Sequence, residues 1–88
     1  MKFVLSGNLL RFSKFQREIA IAAPTVAAGL TQLVGDVPEL GPVLLDGTGQ
    51  LRKVHRLFLN QDQLTSDQLS RPANENDEVM ILTAIAGG

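Results

Sequence analysis

Apolar positions in the first quarter of the chain follow a pattern that is typical of β-strands. Residues 2–12 are rich in Phe, Val and Leu and predict a first strand, within which Gly7 and Asn8 mark a bulge or an early turn. Residues 15–21 end in an alternation of aliphatic and other side chains, which predicts a second strand. The short connection between the two segments favours an antiparallel pairing.

A helix is predicted to follow, because apolar residues now recur at a spacing of three and four positions. Thr25 is a good N-cap, since its side-chain oxygen can accept a hydrogen bond from a free amide of the first turn. Gly35 and Asp36 are expected to end the helix, since Gly35 is able to take the left-handed conformation common at helix C-termini. Gly29 inside the helix costs about 1 kcal/mol relative to alanine, which close packing on a sheet would explain. The apolar stripe consists of Val26, Gly29, Leu30, Leu33 and Val34.

The second half of the chain predicts an irregular segment and then further strands. Residues 38–45 are irregular, with one short helical turn. Residues 51–60 predict a long strand, and residues 60–62 predict a turn that leads into a brief further strand. Residues 78–82 predict the last strand. This order of elements is that of an α+β domain with a single helix layer on a sheet.

Alternation along the last strands divides their side chains between two faces. Val79 and Ile81 share a face with Leu57 and Leu59, and these four are the expected core partners of the helix. Apolar side chains on the other face would form an exposed patch of the kind that marks an interaction surface, unless residues 43–45 cover it. We call this patch and its basic rim the docking face: Phe58, Met80 and Leu82, with Arg56 and Arg71 at the rim.

Length, charge and composition limit the classes of function. The chain has 88 residues, enough for one domain, and its net charge of −1 gives no electrostatic support for nucleic acid or an anionic membrane as a partner. Cysteine is absent, which excludes disulfides, thiolate metal ligands and a cysteine nucleophile and fits a cytoplasmic location. No apolar run approaches the length of a secretory signal or a membrane span.

The sequence contains no constellation of catalytic or metal-ligating residues. His55 is the lone histidine, and without a second ligand or a neighbouring nucleophile it predicts neither a metal site nor a catalytic triad. We expect it to lie on the surface of a strand. Asp77 and Glu78 are adjacent and so point to opposite faces, which favours a turn and a strand edge over an acid–base pair. We therefore expect a protein that is not itself an enzyme and binds no metal or cofactor.

The last six residues, 83–88, carry no charge and end in Gly87 and Gly88. Because glycine has no Cβ, such a thin segment can lie in a channel too narrow for other residues. Its terminal carboxylate can be activated as an acyl-adenylate and then attacked by a nucleophile. We predict a folded domain over residues 1–82 and a flexible tail over residues 83–88.

Three segments together resemble the ThiS/MoaD family of bacterial sulfur-carrier proteins. The first is residues 76–82, an acidic turn followed by an apolar strand. The second is residues 84–88, a short apolar stretch that ends in the diglycine. The third is residues 57–60, a strand that ends in Asn. The longer middle segment, residues 46–56, looks like the CysO-type branch of that family. The resemblance implies a ubiquitin-like β-grasp fold, with a mixed sheet of four to five strands and one main helix packed on one face.

The same resemblance implies a chemical role for the tail. An E1-like adenylyltransferase, with or without a rhodanese domain, would use ATP and magnesium to adenylate the carboxylate of Gly88. A sulfur donor would then convert it to a thiocarboxylate for a sulfur-acceptor enzyme, such as a PLP-dependent cysteine-synthase-like protein. Cysteine or a sulfur-containing metabolite is the favoured product, and a metalloprotease would trim a longer precursor. The residues through which partners would recognise the tail are Ala84, Ile85, Ala86 and Gly87.

Two other functions share some of these features. A ubiquitin-like modifier would use the same activation step but would join Gly88 to lysines of target proteins. A plain binding module would use the docking face, and its tail would have no chemical role. The sequence alone leaves these alternatives open beside the sulfur carrier.

Overall fold

Five strands form one mixed sheet in the computed structural model, which describes residues 1–83. In chain order the strands are β1 (Lys2–Leu5), β2 (Glu18–Ala20), β3 (His55–Leu59), β4 (Asp62–Leu64) and β5 (Glu78–Thr83). Their order across the sheet is β2-β1-β5-β3-β4. The central strand β5 is parallel to β1 and antiparallel to β3, while β1 and β2 are antiparallel. The α+β class and the mixed sheet are as predicted.

The main helix, α1 (Val26–Asp36), begins where the sequence predicts. Thr25 precedes it in an extended conformation, and its hydroxyl oxygen accepts a hydrogen bond from the N–H of Ala28 at 3.1 Å. This bond satisfies one of the amides that the first turn leaves without a helical partner. Gly29 shows why the helix carries a glycine: a Cβ there would lie 2.8 Å from the sulfur of Met1 and 3.1 Å from the ring of Phe3. The close packing on the sheet is confirmed.

Helix α1 ends at Asp36, as predicted, but Gly35 does not take the left-handed conformation that the sequence allowed. The helix continues through Asp36, and Val37 then leaves the helical conformation while its N–H still bonds to the carbonyl of Leu33 at 2.8 Å. The reason lies one residue further on, because Pro38 disfavours a helical conformation at the residue before it. The chain then forms a 3₁₀ helix (Pro38–Leu40) and a short helix α2 (Gly41–Leu44).

The first strand is much shorter than the predicted residues 2–12. After Leu5 the chain turns at Gly7, which has a positive φ of 59°, and forms a 3₁₀ helix over Gly7–Phe12. Gly7 is therefore an early turn, one of the two alternatives. The 3₁₀ helix directs Leu9 into the core, where it is almost fully buried.

The third strand also begins later than predicted. Residues 51–54 precede β3, and Leu51 forms an isolated bridge with Leu45. The turn after β3 is confirmed, since Asn60 and Gln61 both have positive φ, the geometry of a tight two-residue hairpin.

The core lies between α1 and one face of the sheet. All four predicted core partners are buried: Leu57, Leu59, Val79 and Ile81. Val26, Leu30 and Leu33 meet them from the helix, as the predicted apolar stripe requires. Because the helix covers only this face, the opposite face of the central strands stays open for other contacts.

Candidate protein-docking site

Phe58, Met80 and Leu82 lie together on the open face of the sheet, as their alternation predicts. Phe58 stands directly opposite Met80 in the pairing of β3 with β5, and both side chains are half-buried. Leu82, two residues further along β5, is 37% exposed. These side chains form the apolar part of a groove of about 540 Å³, which we call the outer groove. Its polar lining residues are Asn60, Gln61, Asn76 and Glu78.

The polar end of the outer groove is held by hydrogen bonds. The side-chain nitrogen of Asn60 donates to the carboxylate of Asp77 at 2.9 Å, and its side-chain oxygen accepts from the N–H of Glu78 at 2.9 Å. The N–H of Asn74 donates to the same carboxylate at 2.7 Å. The bond from Asn74, and after it the bond from Asn60, hold the pKa of Asp77 below its usual value. An apolar patch with a fixed polar rim is the anatomy of a protein contact surface.

The two arginines predicted at the rim lie at different ends of the sheet. Arg56 stands opposite Leu82 in the pairing of β3 with β5, and its guanidinium donates to two neighbouring backbone carbonyls. Arg71 lies in the loop before β5, where its carbonyl accepts the N–H of Val26 at 3.1 Å. Since β5 runs from that loop towards Leu82, the structure brings Arg56 to the Leu82 end of the docking face and leaves Arg71 at the other end.

Residues 43–45 pack on the helix side of the sheet. Leu44 is fully buried in the core, and the carbonyl of Val43 accepts a hydrogen bond from Nε2 of His55 at 2.8 Å. His55 shares a sheet face with Leu57, which is a core residue. The segment is therefore not the cover of the docking face that the sequence left as an alternative.

The prediction that His55 lies on the strand surface is wrong, since its side chain is only 5% exposed. A carbonyl oxygen only accepts, so Nε2 carries the proton that bonds to Val43, and in the neutral ring Nδ1 accepts from the hydroxyl of Thr83 at 3.0 Å. The sequence held a signal for this placement, because His55 alternates in phase with the core residues Leu57 and Leu59.

Large exposed apolar side chains gather at one end of the sheet within residues 1–83. They are Phe12, Phe15, Val54 and Leu82. We call this the Thr83 end: β1 runs parallel to β5 and β3 antiparallel to it, so the residues after β1 and before β3 lie near the last residue of β5. Sequence reasoning missed Phe12 and Phe15 because it placed them in strands, where one face is normally covered.

The predicted tail residues Ala84, Ile85, Ala86, Gly87 and Gly88 lie outside the described residues. The predictions that the tail is recognised by partners and that Gly88 is modified therefore remain predictions. Within residues 1–83, no three His, Cys, Asp or Glu side chains lie close enough together to hold a metal ion. No helix in this part of the chain is long and apolar enough to cross a membrane.

Comparison with family models gives a match to the model of the ThiS family over residues 10–88, which includes the terminal diglycine. The chain belongs to the ThiS family. The resemblance on which the sequence prediction depended is thus confirmed. The comparison with curated proteins found no match.

Solved structures that resemble this ThiS-family protein confirm the ubiquitin-like β-grasp fold. SAMP1 from Haloferax volcanii has a TM-score of 0.88 at 22% identity, over 100% of this chain and 98% of that one. The BexX/CysO complex from Amycolatopsis orientalis contains a chain with a TM-score of 0.85 at 16% identity, over 99% of this chain and 98% of that one. CysO from Mycobacterium tuberculosis has a TM-score of 0.81 at 20% identity, over 96% and 98%. At these identities the likeness establishes the fold.

Proposed function

We propose that this chain is a sulfur-carrier protein whose C-terminal glycine is activated and loaded with sulfur by partner enzymes. The observation that carries the proposal is the family match, which runs through Gly87 and Gly88 and not only through the folded domain. A match confined to the β-grasp body would support a common fold alone, because one fold serves many functions.

The proposed chemistry takes place on the carboxylate of Gly88. An oxygen of the carboxylate attacks the α-phosphorus of ATP, pyrophosphate leaves, and an acyl-adenylate forms. A sulfur donor then delivers a hydrosulfide equivalent to the acyl carbon, AMP leaves with the original oxygen, and a thiocarboxylate remains. Glycine suits this step, since it has no side chain to hinder attack on the acyl carbon.

The domain contributes recognition and reach to this chemistry, and the partners contribute the catalytic groups. Since Thr83 is the last residue of β5, residues 84–88 provide the reach. They span at most about 18 Å when extended, a length that can take the terminal acyl group into a partner's active site while the domain stays outside. Ile85 is the largest side chain of this segment and the proposed apolar anchor. The docking face would hold the domain against the partner's surface.

The proposed partners follow from the chemistry. An E1-like adenylyltransferase, with or without a rhodanese domain, uses ATP and magnesium to form the acyl-adenylate. A sulfur donor then acts on that acyl-adenylate. A sulfur-acceptor enzyme, such as a PLP-dependent cysteine-synthase-like protein, consumes the thiocarboxylate, and a metalloprotease removes residues beyond Gly88 from a longer precursor. Cysteine or another sulfur-containing metabolite is the proposed product, with the cytoplasm as the location.

Deletion of Gly88 tests the proposal. We expect the shortened protein to keep the thermal stability of the full chain, because the sheet, α1 and the core are all formed by residues 1–83, and to lose ATP–pyrophosphate exchange with the E1-like enzyme of the same organism. Normal exchange by the shortened protein would contradict the proposal. Mass spectrometry of protein from its native host is expected to show a gain of about 16 Da at the C-terminus, the replacement of oxygen by sulfur in a covalent acyl group.

A second candidate is a ubiquitin-like modifier. Its support is the similarity to two solved structures from Haloferax volcanii, one of SAMP1 and the other of small archaeal modifier protein 1. The first step is shared, so exchange assays do not separate the two functions. A ladder of conjugates on an immunoblot of the native lysate, with Gly88–lysine linkages found by mass spectrometry, would favour the modifier.

A further inference from the structure

The loop of residues 11–17 combines positive charge and exposed aromatic rings. Arg11, Lys14 and Arg17 are all exposed. Phe15 is 75% exposed and Phe12 36% exposed, although both rings could gain free energy by burial in the core. A cluster of this kind is not explained by packing within the domain.

A buried serine fixes the shape of this loop. The side chain of Ser13 is almost fully buried, and its hydroxyl donates to the carbonyl of Gln16 at 2.9 Å. Between these two residues, Lys14 and Phe15 have positive φ angles of 56° and 62°, a conformation that residues with a Cβ rarely adopt. The exposure of the Phe15 ring is thus a property of a defined turn, maintained against a backbone cost.

The loop lies beside the point at which the proposed tail begins. The 3₁₀ helix Gly7–Phe12, which leads from β1 into the loop, contacts β5. Strand β1 itself is parallel to β5, so the loop lies near the last residues of β5. Strand β3 lies on the other side of β5, and it begins at the same end of the sheet. It is preceded by Arg52 and Lys53, and its second residue is Arg56. A partner that takes up residues 84–88 must approach this end and therefore meets the loop.

The basic residues at the Thr83 end form no close ion pairs within residues 1–83. Six of the eight Lys and Arg residues lie there: Arg11, Lys14, Arg17, Arg52, Lys53 and Arg56. Within residues 1–83, the ion pairs are those of Lys2 with Glu18 and Glu78, at 3.5 and 3.6 Å. None of the six cations has a carboxylate at ion-pair distance in this part of the chain. Complementary charge must then come from outside the domain.

We propose that the 11–17 loop is a second docking element, which binds a carboxylate-lined apolar pocket on the enzyme that accepts the C-terminal segment. This inference rests on the proposed function. Phe15 is the ring that enters the pocket, and Arg11, Lys14 and Arg17 pair with the carboxylates around it. The loop and the docking face lie on two sides of β5, so together they fix the orientation in which the tail is presented.

An acidic protein surface fits the loop better than a polyanion does. Single-stranded nucleic acid stacks on aromatic rings inside a basic groove, and anionic membranes attract basic segments with aromatic anchors. The net charge of the whole chain is −1, however, so the domain as a whole is not attracted to an extended polyanion. A compact partner that contacts only the Thr83 end experiences the local positive charge.

The test uses the full chain and the purified E1-like adenylyltransferase in ATP–pyrophosphate exchange. The variant Lys14→Asn with Phe15→Asn removes a cation and the exposed ring. Asparagine tolerates positive φ better than either original residue, so we expect the fold to be as stable as before or more so. The expected result is a KM for the carrier protein raised about tenfold, with kcat changed by less than about twofold, since the loop acts in binding and not in the acyl transfer.

Salt dependence and a matched control sharpen this test. The KM of the original protein is expected to rise with NaCl concentration, and that rise is expected to be smaller in the double variant. Lys2→Gln removes a cation at the other end of the sheet, outside the docking face, and is expected to leave the KM unchanged. A similar increase for Lys2→Gln would mean that net charge, and not the loop, sets the affinity, which would overturn the inference.

The outcomes separate this inference from the proposed function. Exchange by the original protein with an unchanged KM in the double variant would overturn the inference and leave the proposed function intact. No exchange by the original protein would contradict the proposed function and, with it, the inference. Binding of the original protein to a uridine oligonucleotide or to phosphatidylserine vesicles, lost in the double variant, would assign the loop to another partner and also overturn the inference.

Discussion

The imidazole of His55 and the hydroxyl of Thr83 lie 3.0 Å apart, from Nδ1 to Oγ1, and join the first residue of β3 to the last residue of β5. Nε2 of the same ring donates to the carbonyl of Val43 at 2.8 Å, so one buried side chain connects the sheet to α2. Because Thr83 is the last residue of β5, this hydrogen bond fixes the position of the residue that precedes the segment ending in the diglycine.

Removal of either partner of this bond is expected to lower the free energy of unfolding by different amounts. Thr83→Val removes only the hydroxyl from an exposed position and is expected to cost about 1 kcal/mol. His55→Ala also leaves the Val43 carbonyl unpaired and opens a cavity, so a loss of about 2–4 kcal/mol is expected. Urea denaturation of both single variants and the double variant measures these values. If the two losses were simply additive, the hydrogen bond would contribute nothing to stability.

Alanine substitutions at two glycines of α1 are expected to change the free energy of unfolding differently. Gly35 has nothing within 4 Å of a Cβ, so Gly35→Ala is expected to stabilise the protein by about 0.5–1 kcal/mol through helix propensity. At Gly29 the same gain is opposed by a Cβ 2.8 Å from Met1 and 3.1 Å from Phe3 in the core. Gly29→Ala is therefore expected to be neutral or destabilising, by up to about 2 kcal/mol. Thermal denaturation that showed equal stabilisation by both variants would contradict this packing.

Asp77 is expected to make the stability depend on acidic pH. Its pKa in the folded protein lies below the usual value of 3.8 because the N–H of Asn74 and the side chain of Asn60 donate to the carboxylate. The resulting stability is present above the unfolded-state pKa and is lost as the pH falls through the lower folded-state pKa. Asp77→Asn removes this titration. As the pH is lowered from about 5 to about 2, the melting temperature of the variant is therefore expected to fall less than that of the original protein. Parallel curves for the two proteins would exclude a contribution from Asp77.

A carboxylate in the outer groove is expected to weaken partner binding. Phe58→Asp places a charge between the apolar side chains that would contact the E1-like enzyme, and an affinity loss of about tenfold or more is expected in calorimetry. Ala20→Asp is the control, since Ala20 pairs with Lys2 on the same open face but lies outside the groove. Unchanged affinity of folded Phe58→Asp would count against the docking face.

The sequence predicted the parts of the fold that depend on local pattern. Thr25 began α1 as expected, and Leu57, Leu59, Val79 and Ile81 became core residues because alternation in a strand fixes which side chains share a face. The same pattern placed Phe58, Met80 and Leu82 on the open face. The position of Arg56 beside Leu82 also follows from strand pairing, whereas Arg71 lies in a loop at the other end of β5.

What the sequence could not supply were features set by contacts between distant segments. The burial of His55 depends on Val43, twelve residues before it, and on Thr83, twenty-eight residues after it. Likewise, residues 2–12 read as one strand, because nothing local shows that Leu9 must turn into the core.

By itself, then, the amino-acid sequence determined the family and the order of the strands and the main helix, since each of these is written in short segments of neighbouring residues. Only the tertiary structure decided that Phe12 and Phe15 are exposed and that basic residues from two separate loops meet at the Thr83 end. The physical reason is that strand pairing, parallel for β1 with β5 and antiparallel for β3 with β5, brings together residues some forty positions apart, and no local pattern encodes that pairing.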